Sequence, residues 1–112
     1  MKIVTVIGAR PQFVKEAVVQ NKMNKFDDIE EVVVHTGQHY DSNMSGVFFE
    51  VLNMKRPDYN LGIRAANHGE MTGKMLIELE KIMLKEKPDI ILLYGDTNST
   101  LAGAIAASKL KI

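Results

Sequence analysis

Three short runs of Val, Ile and Leu, at residues 2–8, 31–36 and 89–95, constrain the fold of this 112-residue sequence more than any other feature. None of them alternates cleanly between apolar and polar residues, so both faces of each predicted strand are expected to be covered, as in parallel sheets with helices on either side. Each run ends in a small or polar turn and is followed by a helix signal. This alternation predicts an α/β fold with a Rossmann-like, doubly wound parallel sheet.

The first two helices are predicted from their starts and their apolar spacing. Proline is favoured in the first turn of a helix, so the first helix is expected to begin at Pro11. Its predicted buried stripe consists of four apolar residues, Phe13, Val14, Ala17 and Val18. A second helix is expected after a cap at Asp41 or Ser42. Its apolar stripe consists of Met44, Val47, Phe48, Val51 and Leu52.

Two further helices flank the last strand. The third is predicted to follow Asn67 and to stop near Lys87, because Pro88 disfavours helical geometry in the residue before it. Its apolar stripe consists of Met71, Met75, Leu79, Ile82 and Met83. The fourth begins between residues 97 and 99, and its stripe consists of Ala102, Ile105, Ala106 and Leu110. A short strand around residues 59–61 would complete a sheet in the order 3-2-1-4.

The composition excludes several classes of protein. Fourteen basic residues balance fourteen acidic ones, so no net positive charge favours binding to nucleic acid or to an anionic membrane. The chain has no cysteine, which excludes a thiolate nucleophile and a cysteine-based metal site. No apolar run approaches the roughly 20 residues of a membrane span, and the N-terminus lacks the pattern of a signal peptide. We therefore expect a cytoplasmic protein that binds neither nucleic acid nor membrane.

The usual fingerprints of nucleotide cofactors and metals are missing from the expected places. The turn after the first strand reads Gly-Ala-Arg-Pro-Gln at residues 8–12, which is not the glycine pattern of a dinucleotide site. Residues 69–74 faintly resemble a P-loop, but the spacing is one residue short and no strand precedes them. His35 and His39 flank a turn and do not share a helix face, so we expect no metal site. No cofactor is expected.

Polar side chains at the carboxyl ends of the predicted strands form the candidate site. Arg10 follows the first strand, residues 36–41 follow the second, and Asp96 follows the last. Strand order reverses between the first and last strands, which brings Arg10 and Asp96 to one crevice. An arginine at a helix N-terminus suits a phosphate, and Asp96 is placed to take or give a proton.

The same residues also have purely structural interpretations. Asp96 lies in a run that is typical of a helix N-cap. Arg10 has an alternative interpretation as an ordinary surface arginine, and Lys15 has one as a solvent-exposed charge on its helix. A hydrogen bond to a backbone carbonyl would account for His39. A role as a cap or as a partner of the helix dipole would account for His68, which lies at a helix start. From the residues alone these alternatives stay open.

Three spaced motifs together resemble one family. Residues 8–15 (Gly-Ala-Arg-Pro-Gln-Phe-Val-Lys), 36–39 (Thr-Gly-Gln-His) and 94–100 (Tyr-Gly-Asp-Thr-Asn-Ser-Thr) are similar to the N-terminal third of the non-hydrolysing UDP-N-acetylglucosamine 2-epimerases. The similarity spans essentially the whole chain. Ala9 and Gln12 also resemble a subgroup that acts on UDP-2,3-diacetamido-2,3-dideoxyglucuronate, so the choice between the two sugars stays open.

The resemblance implies a two-domain fold of the glycosyltransferase-B type, with residues 1–112 as the N-terminal part of the first Rossmann-like domain. It implies interconversion of UDP-GlcNAc and UDP-ManNAc: the C2 proton is removed, UDP leaves from C1 and then adds back, without nicotinamide or metal. By motif, Asp96 is a catalytic carboxylate near the sugar, and Arg10 and Lys15 line the phosphate region. Gln38 and His39 border the same cleft.

The chain is expected to be part of a longer protein. Residues 90–93 would otherwise form an apolar, uncharged sheet edge, so we expect a neighbouring strand or a second copy to cover it. A homo-oligomer is expected, and the 112-residue chain alone is expected to be inactive. Two other interpretations remain: a nucleotide-sugar glycosyltransferase on the same scaffold, and a non-enzymatic, flavodoxin-like module.

Overall fold

A computed structural model describes residues 1–37 and 50–112 of the chain. Its strands are β1 (Lys2–Ile7), β2 (Glu30–His35), β3 (Tyr59–Asn60) and β4 (Ile90–Leu93). They form one parallel sheet in the order β3-β2-β1-β4, as the sequence predicted. The helix expected after residue 41 lies outside the described residues, apart from residues 50–51 at its end, which are helical.

The described helices are α1 (Arg10–Met23), α2 (His68–Glu86) and α3 (Asn98–Lys109). Asn67 occupies the N-cap position of α2 and Thr97 that of α3, so both predicted starts are confirmed. The predicted stop of α2 is also confirmed, because its C-cap Lys87 adopts the left-handed conformation, with φ 51°, directly before Pro88. No helix within residues 1–37 and 50–112 has the length and hydropathy of a membrane span.

The sheet separates two apolar cores. On one face, the residues of β1 and β2 pack with α2 and α3, and the predicted α2 positions Met75, Leu79, Ile82 and Met83 are all buried. On the other face, Phe13 and Ala17 of α1 pack against Ile7, Val33 and Met54. Both faces of the central strands are therefore covered, which is the physical reason for their uninterrupted apolar sequence.

The predicted buried stripe of α1 is half wrong. Val14 is 50% exposed and Val18 is 71% exposed, although Phe13 and Ala17 are buried. The side that faces the sheet consists of five residues, Gln12, Phe13, Glu16, Ala17 and Gln20. The polar members recur every four residues and so share one helix face. They remain stable in the interior because groups elsewhere in the fold hydrogen bond to them.

Candidate functional site

The candidate site lies at the carboxyl edge of the sheet, where two turns meet. β1 ends at Ile7 and leads into α1, while β4 ends at Leu93 and leads into α3. The two strands pair in parallel, with Val6 opposite Leu93, so the turns that follow them lie side by side. This is the point at which strand order reverses, where open α/β sheets bind their ligands.

The side chain of Gln12 joins the two turns. Its Oε1 accepts hydrogen bonds from the backbone amides of Gly8 and Ala9 at 2.8 and 3.2 Å. Its Nε2 donates to the backbone carbonyl of Tyr94 at 2.8 Å and to the hydroxyl of Thr97 at 3.2 Å. Because one buried amide satisfies groups from both turns, it fixes the turn after β1 relative to the turn after β4.

Gly8 allows a third segment to approach the same point. The Thr36 hydroxyl, just after β2, lies 2.8 Å from the hydroxyl of Ser99 in the first turn of α3. A Cβ atom at Gly8 would overlap with both hydroxyl oxygens. The ends of β1 and β2 and the start of α3 therefore converge only because residue 8 has no side chain.

Asp96 is an exposed residue in the turn after β4. Gly95 before it has a positive φ of 70°, and Thr97 after it is the N-cap of α3. The Thr97 hydroxyl accepts from the amide of Thr100 at 3.4 Å, so the capping role falls to Thr97. Within the described residues the exposed Asp96 carboxylate forms no hydrogen bond or ion pair. The run therefore caps α3 as its pattern indicates, but through Thr97 and not through Asp96.

The other predicted site residues are described only in part. Arg10 is the first residue of α1 and directly follows the Gly8–Ala9 turn, which Gln12 joins to the turn of Asp96. Its side chain lies outside the described part of the structure, as do Gln38 and His39. Lys15 is exposed on α1, and no acidic side chain in the described ranges pairs with it. The roles of these four residues stay predictions.

The two histidines within the described ranges have different surroundings. The ring of His35 is buried against Phe13, and its Nδ1 accepts from the amide of Gly37 at 2.7 Å. Burial lowers the pKa of His35 to about 4, so it is neutral at physiological pH. His68 is exposed and its Nδ1 lies 3.0 Å from Asn98 Nδ2, a contact that links the first residues of α2 and α3 at the edge of the site. Among the described residues no group of three or more His, Asp or Glu side chains could hold a metal ion.

Glu16 and Tyr94 belong to the support of the site and were not identified from the sequence. The Tyr94 hydroxyl donates to Glu16 Oε1 at 2.7 Å, and Tyr94 lies two residues before Asp96. The two residues are separated by 78 positions, and no local pattern predicts their contact. The only available signal was the recurrence of polar residues at 12, 16 and 20, which marks one helix face.

Sequence comparisons connect the chain with nucleotide-sugar enzymes. Residues 21–112 match the model of a family described as UDP-N-acetylglucosamine 2-epimerase. A Pseudomonas aeruginosa protein described as UDP-2,3-diacetamido-2,3-dideoxy-D-glucuronate 2-epimerase is 58% identical over all 112 residues, which cover 32% of its length. The chain thus spans about a third of the length of this curated relative.

Structural comparisons agree. The crystal structure of the Methanocaldococcus jannaschii UDP-GlcNAc 2-epimerase in complex with UDP-GlcNAc and UDP matches with a TM-score of 0.92 and 51% identity. The match covers 100% of this chain and 31% of that one. The UDP-GlcNAc 2-epimerase of Neisseria meningitidis, bound to UDP-GlcNAc, matches with a TM-score of 0.89 and 33% identity, over 100% of this chain and 30% of that one.

Proposed function

The chain belongs to the UDP-N-acetylglucosamine 2-epimerase family, and from that premise we propose that it is the N-terminal part of a cytoplasmic, non-hydrolysing nucleotide-sugar 2-epimerase. Residues 1–112 would form the N-terminal part of its first Rossmann-like domain, in a two-domain fold of the glycosyltransferase-B type. The rest of the site would come from residues beyond this segment. A homo-oligomer is part of the proposal, and sizing of the full-length protein at several concentrations tests it.

The proposed reaction inverts C2 of a UDP-linked N-acetylhexosamine. A base removes the C2 proton while the C1–O bond breaks and its electron pair leaves with UDP, which produces a glycal. The proton then returns to C2 from the other face, and UDP adds back to C1. The C2 hydrogen is scarcely acidic, so this reaction needs a positioned acid–base pair and a stabilised leaving diphosphate.

We assign the proton-transfer side of this chemistry to Asp96. Its carboxylate is exposed at the carboxyl edge of the sheet and forms no hydrogen bond or ion pair within the described residues. A carboxylate that performs no structural task there remains available to a substrate. Asp96 would act as one carboxylate of the acid–base pair.

The diphosphate is assigned to the start of α1. The backbone amides at a helix N-terminus attract anions, and Arg10 is located at that N-terminus. Lys15, one turn further along α1, is exposed and has no acidic partner in the described ranges. Gln38 and His39, which follow β2, would border the same cleft.

One observation carries the proposal: the Gln12 side chain joins the turn that begins with Gly8 to the turn that carries Asp96. The diphosphate-binding helix start and the proposed acid–base group thereby belong to one rigid edge of the sheet. A substrate whose sugar is linked directly to a diphosphate fits such a pairing.

Solvent exchange tests the reaction. We expect the full-length protein, incubated with UDP-GlcNAc in deuterated water, to form UDP-ManNAc and to incorporate deuterium at C2. The isolated 112-residue chain is expected to show neither. A glycosyltransferase would transfer the sugar to an acceptor without exchange at C2, and a non-enzymatic module would not bind UDP. Either result would contradict the proposal.

The second candidate substrate is UDP-2,3-diacetamido-2,3-dideoxyglucuronate. The 58% identity with the Pseudomonas aeruginosa protein supports it. The same exchange experiment with both sugar nucleotides distinguishes the candidates, because the preferred substrate has the larger kcat/KM.

A further inference from the structure

A polar cluster around Glu16 lies on the α1 face of the sheet and includes Tyr94, two residues before Asp96. At its centre, the side chain of Glu16 is fully buried. Its Oε1 accepts from the Tyr94 hydroxyl at 2.7 Å, whereas its Oε2 has no hydrogen-bond partner as an acceptor among the described residues. A buried carboxylate oxygen without a donor is costly, so the ionised form of Glu16 fits this position poorly.

Glu31 of β2 lies beside Glu16 and is within hydrogen-bonding reach of it. Its own carboxylate is well supplied with donors: the Thr5 hydroxyl donates to Oε2 at 2.6 Å and Gln20 Nε2 donates to Oε1 at 3.3 Å. Both oxygens of Glu31 therefore have a hydrogen-bond donor, whereas Oε2 of Glu16 has none among the described residues. Two adjacent carboxyl groups favour a single charge, and the proton belongs on Glu16 because Glu16 is fully buried whereas Glu31 is only half-buried.

The groups that face Glu16 come from three further elements. They are Glu31 on β2, Tyr94 after β4, and Lys55 in the segment before β3. The Lys55 ammonium is directed elsewhere, because it donates to the backbone carbonyl of Glu31 at 2.7 Å and pairs with Asp58 at 3.3 Å. Burial and Glu31 raise the pKa of Glu16 to about 9, because together they outweigh the hydrogen bond from Tyr94 and the charge of Lys55, which both lower it.

A protonated Glu16 satisfies every group in the cluster. Its hydroxyl donates towards the Glu31 carboxylate, and its other oxygen accepts from Tyr94. Tyr94 is also held through its backbone, because its carbonyl accepts from Gln12 Nε2 at 2.8 Å and from the Thr100 hydroxyl. Asp96 follows only two residues later, so the orientation of its turn depends on how Tyr94 is anchored.

We propose that Glu16 is a positioning residue: as a neutral carboxylic acid it anchors the Tyr94 ring and thereby holds the turn of Asp96 in its reactive orientation. Glu16 is buried and does not touch the substrate. The effect on catalysis rests on the proposed function, whereas the protonation of Glu16 and the order of the turn are measurable without any activity.

Variants of the full-length protein separate positioning from simple packing. Glu16→Gln has the same shape, accepts from Tyr94 and donates to Glu31, so we expect kcat within about twofold of the wild type at neutral pH. Glu16→Leu offers Tyr94 no acceptor, and we expect kcat to fall about 10- to 100-fold with little change in KM, since a small misplacement of a reacting group costs that much. Glu80→Gln, on the exposed side of α2, is the matched control and should change nothing.

The pH profile is a second readout. Above about pH 9 the wild type would place a charged Glu16 beside Glu31, so we expect its kcat to decline there. Glu16→Gln does not titrate and should lack this decline. Tyr94→Phe should lower kcat like Glu16→Leu, and the double variant should be no worse than either single one, because both remove the same hydrogen bond. Should Glu16→Leu fail to fold, Tyr94→Phe carries the test.

Two measurements do not depend on turnover. Infrared spectroscopy at neutral pH should detect a protonated carboxyl band that Glu16→Gln lacks. Amide hydrogen exchange of residues 95–97 should accelerate in Tyr94→Phe and stay unchanged in Glu16→Gln. If the infrared band and the exchange pattern are both as expected but no sugar nucleotide is epimerised, the proposed function fails and the positioning role stands. If the band is absent, or if Tyr94→Phe exchanges and turns over like the wild type, the positioning role is overturned.

Discussion

At Gly8 the absence of a side chain decides whether two strand ends and a helix start can meet. Its backbone amide donates to Gln12 Oε1, and the space that a Cβ atom would need is occupied by the hydroxyls of Thr36 and Ser99. The glycine was recognisable in the sequence as part of a motif. Its steric reason depends on residues that are distant in the chain, so only the fold reveals it.

Gly8→Ala should destabilise the full-length protein by about 1–3 kcal/mol, because the added methyl group forces apart the Thr36 and Ser99 hydroxyls. Urea unfolding of the two proteins measures the difference. Gly73→Ala, at an open position inside α2, is the control and should be neutral or stabilising by up to about 1 kcal/mol. Equal stability of Gly8→Ala and the wild type would disprove the steric role.

Asp96→Asn should lower kcat of the full-length protein by about 10²–10⁴, the range for loss of an acid–base group, with an unchanged melting temperature. Steady-state kinetics and thermal unfolding check both parts. Asp27→Asn, in the exposed connection before β2 at the opposite edge of the sheet, should leave both values unchanged. An unaltered rate in Asp96→Asn would remove this carboxylate from the proposed mechanism.

Arg10→Ala should weaken binding of the UDP-sugar more than it lowers stability. The guanidinium is predicted to pair with the diphosphate, whereas the backbone of residue 10 already forms the start of α1 without it. Isothermal titration with UDP and thermal unfolding compare the two effects. A loss of stability as large as the loss of binding energy would favour the interpretation of Arg10 as a structural arginine.

At the scale of elements, α1 departs most from the sequence prediction. Its apolar residues at positions 13, 14, 17 and 18 suggest one buried stripe. In the structure the buried face consists instead of positions 12, 13, 16, 17 and 20, of which only 13 and 17 are apolar. Gln12, Glu16 and Gln20 are drawn inward because the sheet and its turns provide hydrogen-bond partners. The starts of α2 and α3, which depend on local capping signals, were predicted correctly.

Because α1 buries Phe13 and exposes Val18, substitution of these two apolar residues should change stability by very different amounts. Phe13→Ala should destabilise the protein by about 3–5 kcal/mol, because it opens a cavity beside Ile7 and Val33. Val18→Ala, at a position that is 71% exposed, should change stability by less than about 0.5 kcal/mol. Urea unfolding measures both. Similar losses of unfolding free energy in the two variants would indicate that Val18 is buried together with Phe13, as the sequence predicted.

At the scale of the whole molecule, two buried groups give stability opposite dependences on pH. His35 resists protonation in the folded state, with its pKa near 4 against 6.5 for an ordinary histidine. The unfolded chain therefore binds more protons in that interval, and stability is lost as the pH falls from about 6.5 towards 4. Glu16 has a raised pKa, so its contribution is complete below 4.5 and is lost as the pH rises towards 9.

The Glu16→Gln background should reveal the His35 effect. In that background the free energy of unfolding should fall by up to roughly 3 kcal/mol between pH 6.5 and 4. Adding His35→Gln should flatten this part of the profile, and urea unfolding at several pH values measures it. A slope that persists without the histidine would show that other groups cause the acid sensitivity.

The sequence by itself determined the order of the sheet and the limits of most elements. Apolar runs, prolines and capping residues act over a few positions, so their meaning does not depend on the rest of the chain. The three motifs likewise sufficed to identify the family. The sheet order also predicted that Arg10 and Asp96 would follow neighbouring strands.

Only the tertiary structure decided how the turns at that edge are held. Gln12 and Tyr94 are 82 positions apart, and Glu16 and Tyr94 are 78 apart. Whether a glutamine or glutamate on α1 faces solvent or the interior depends on the donors and acceptors that distant segments bring to it. No local pattern carries that information, because a buried polar side chain is stable only with the partners that folding provides.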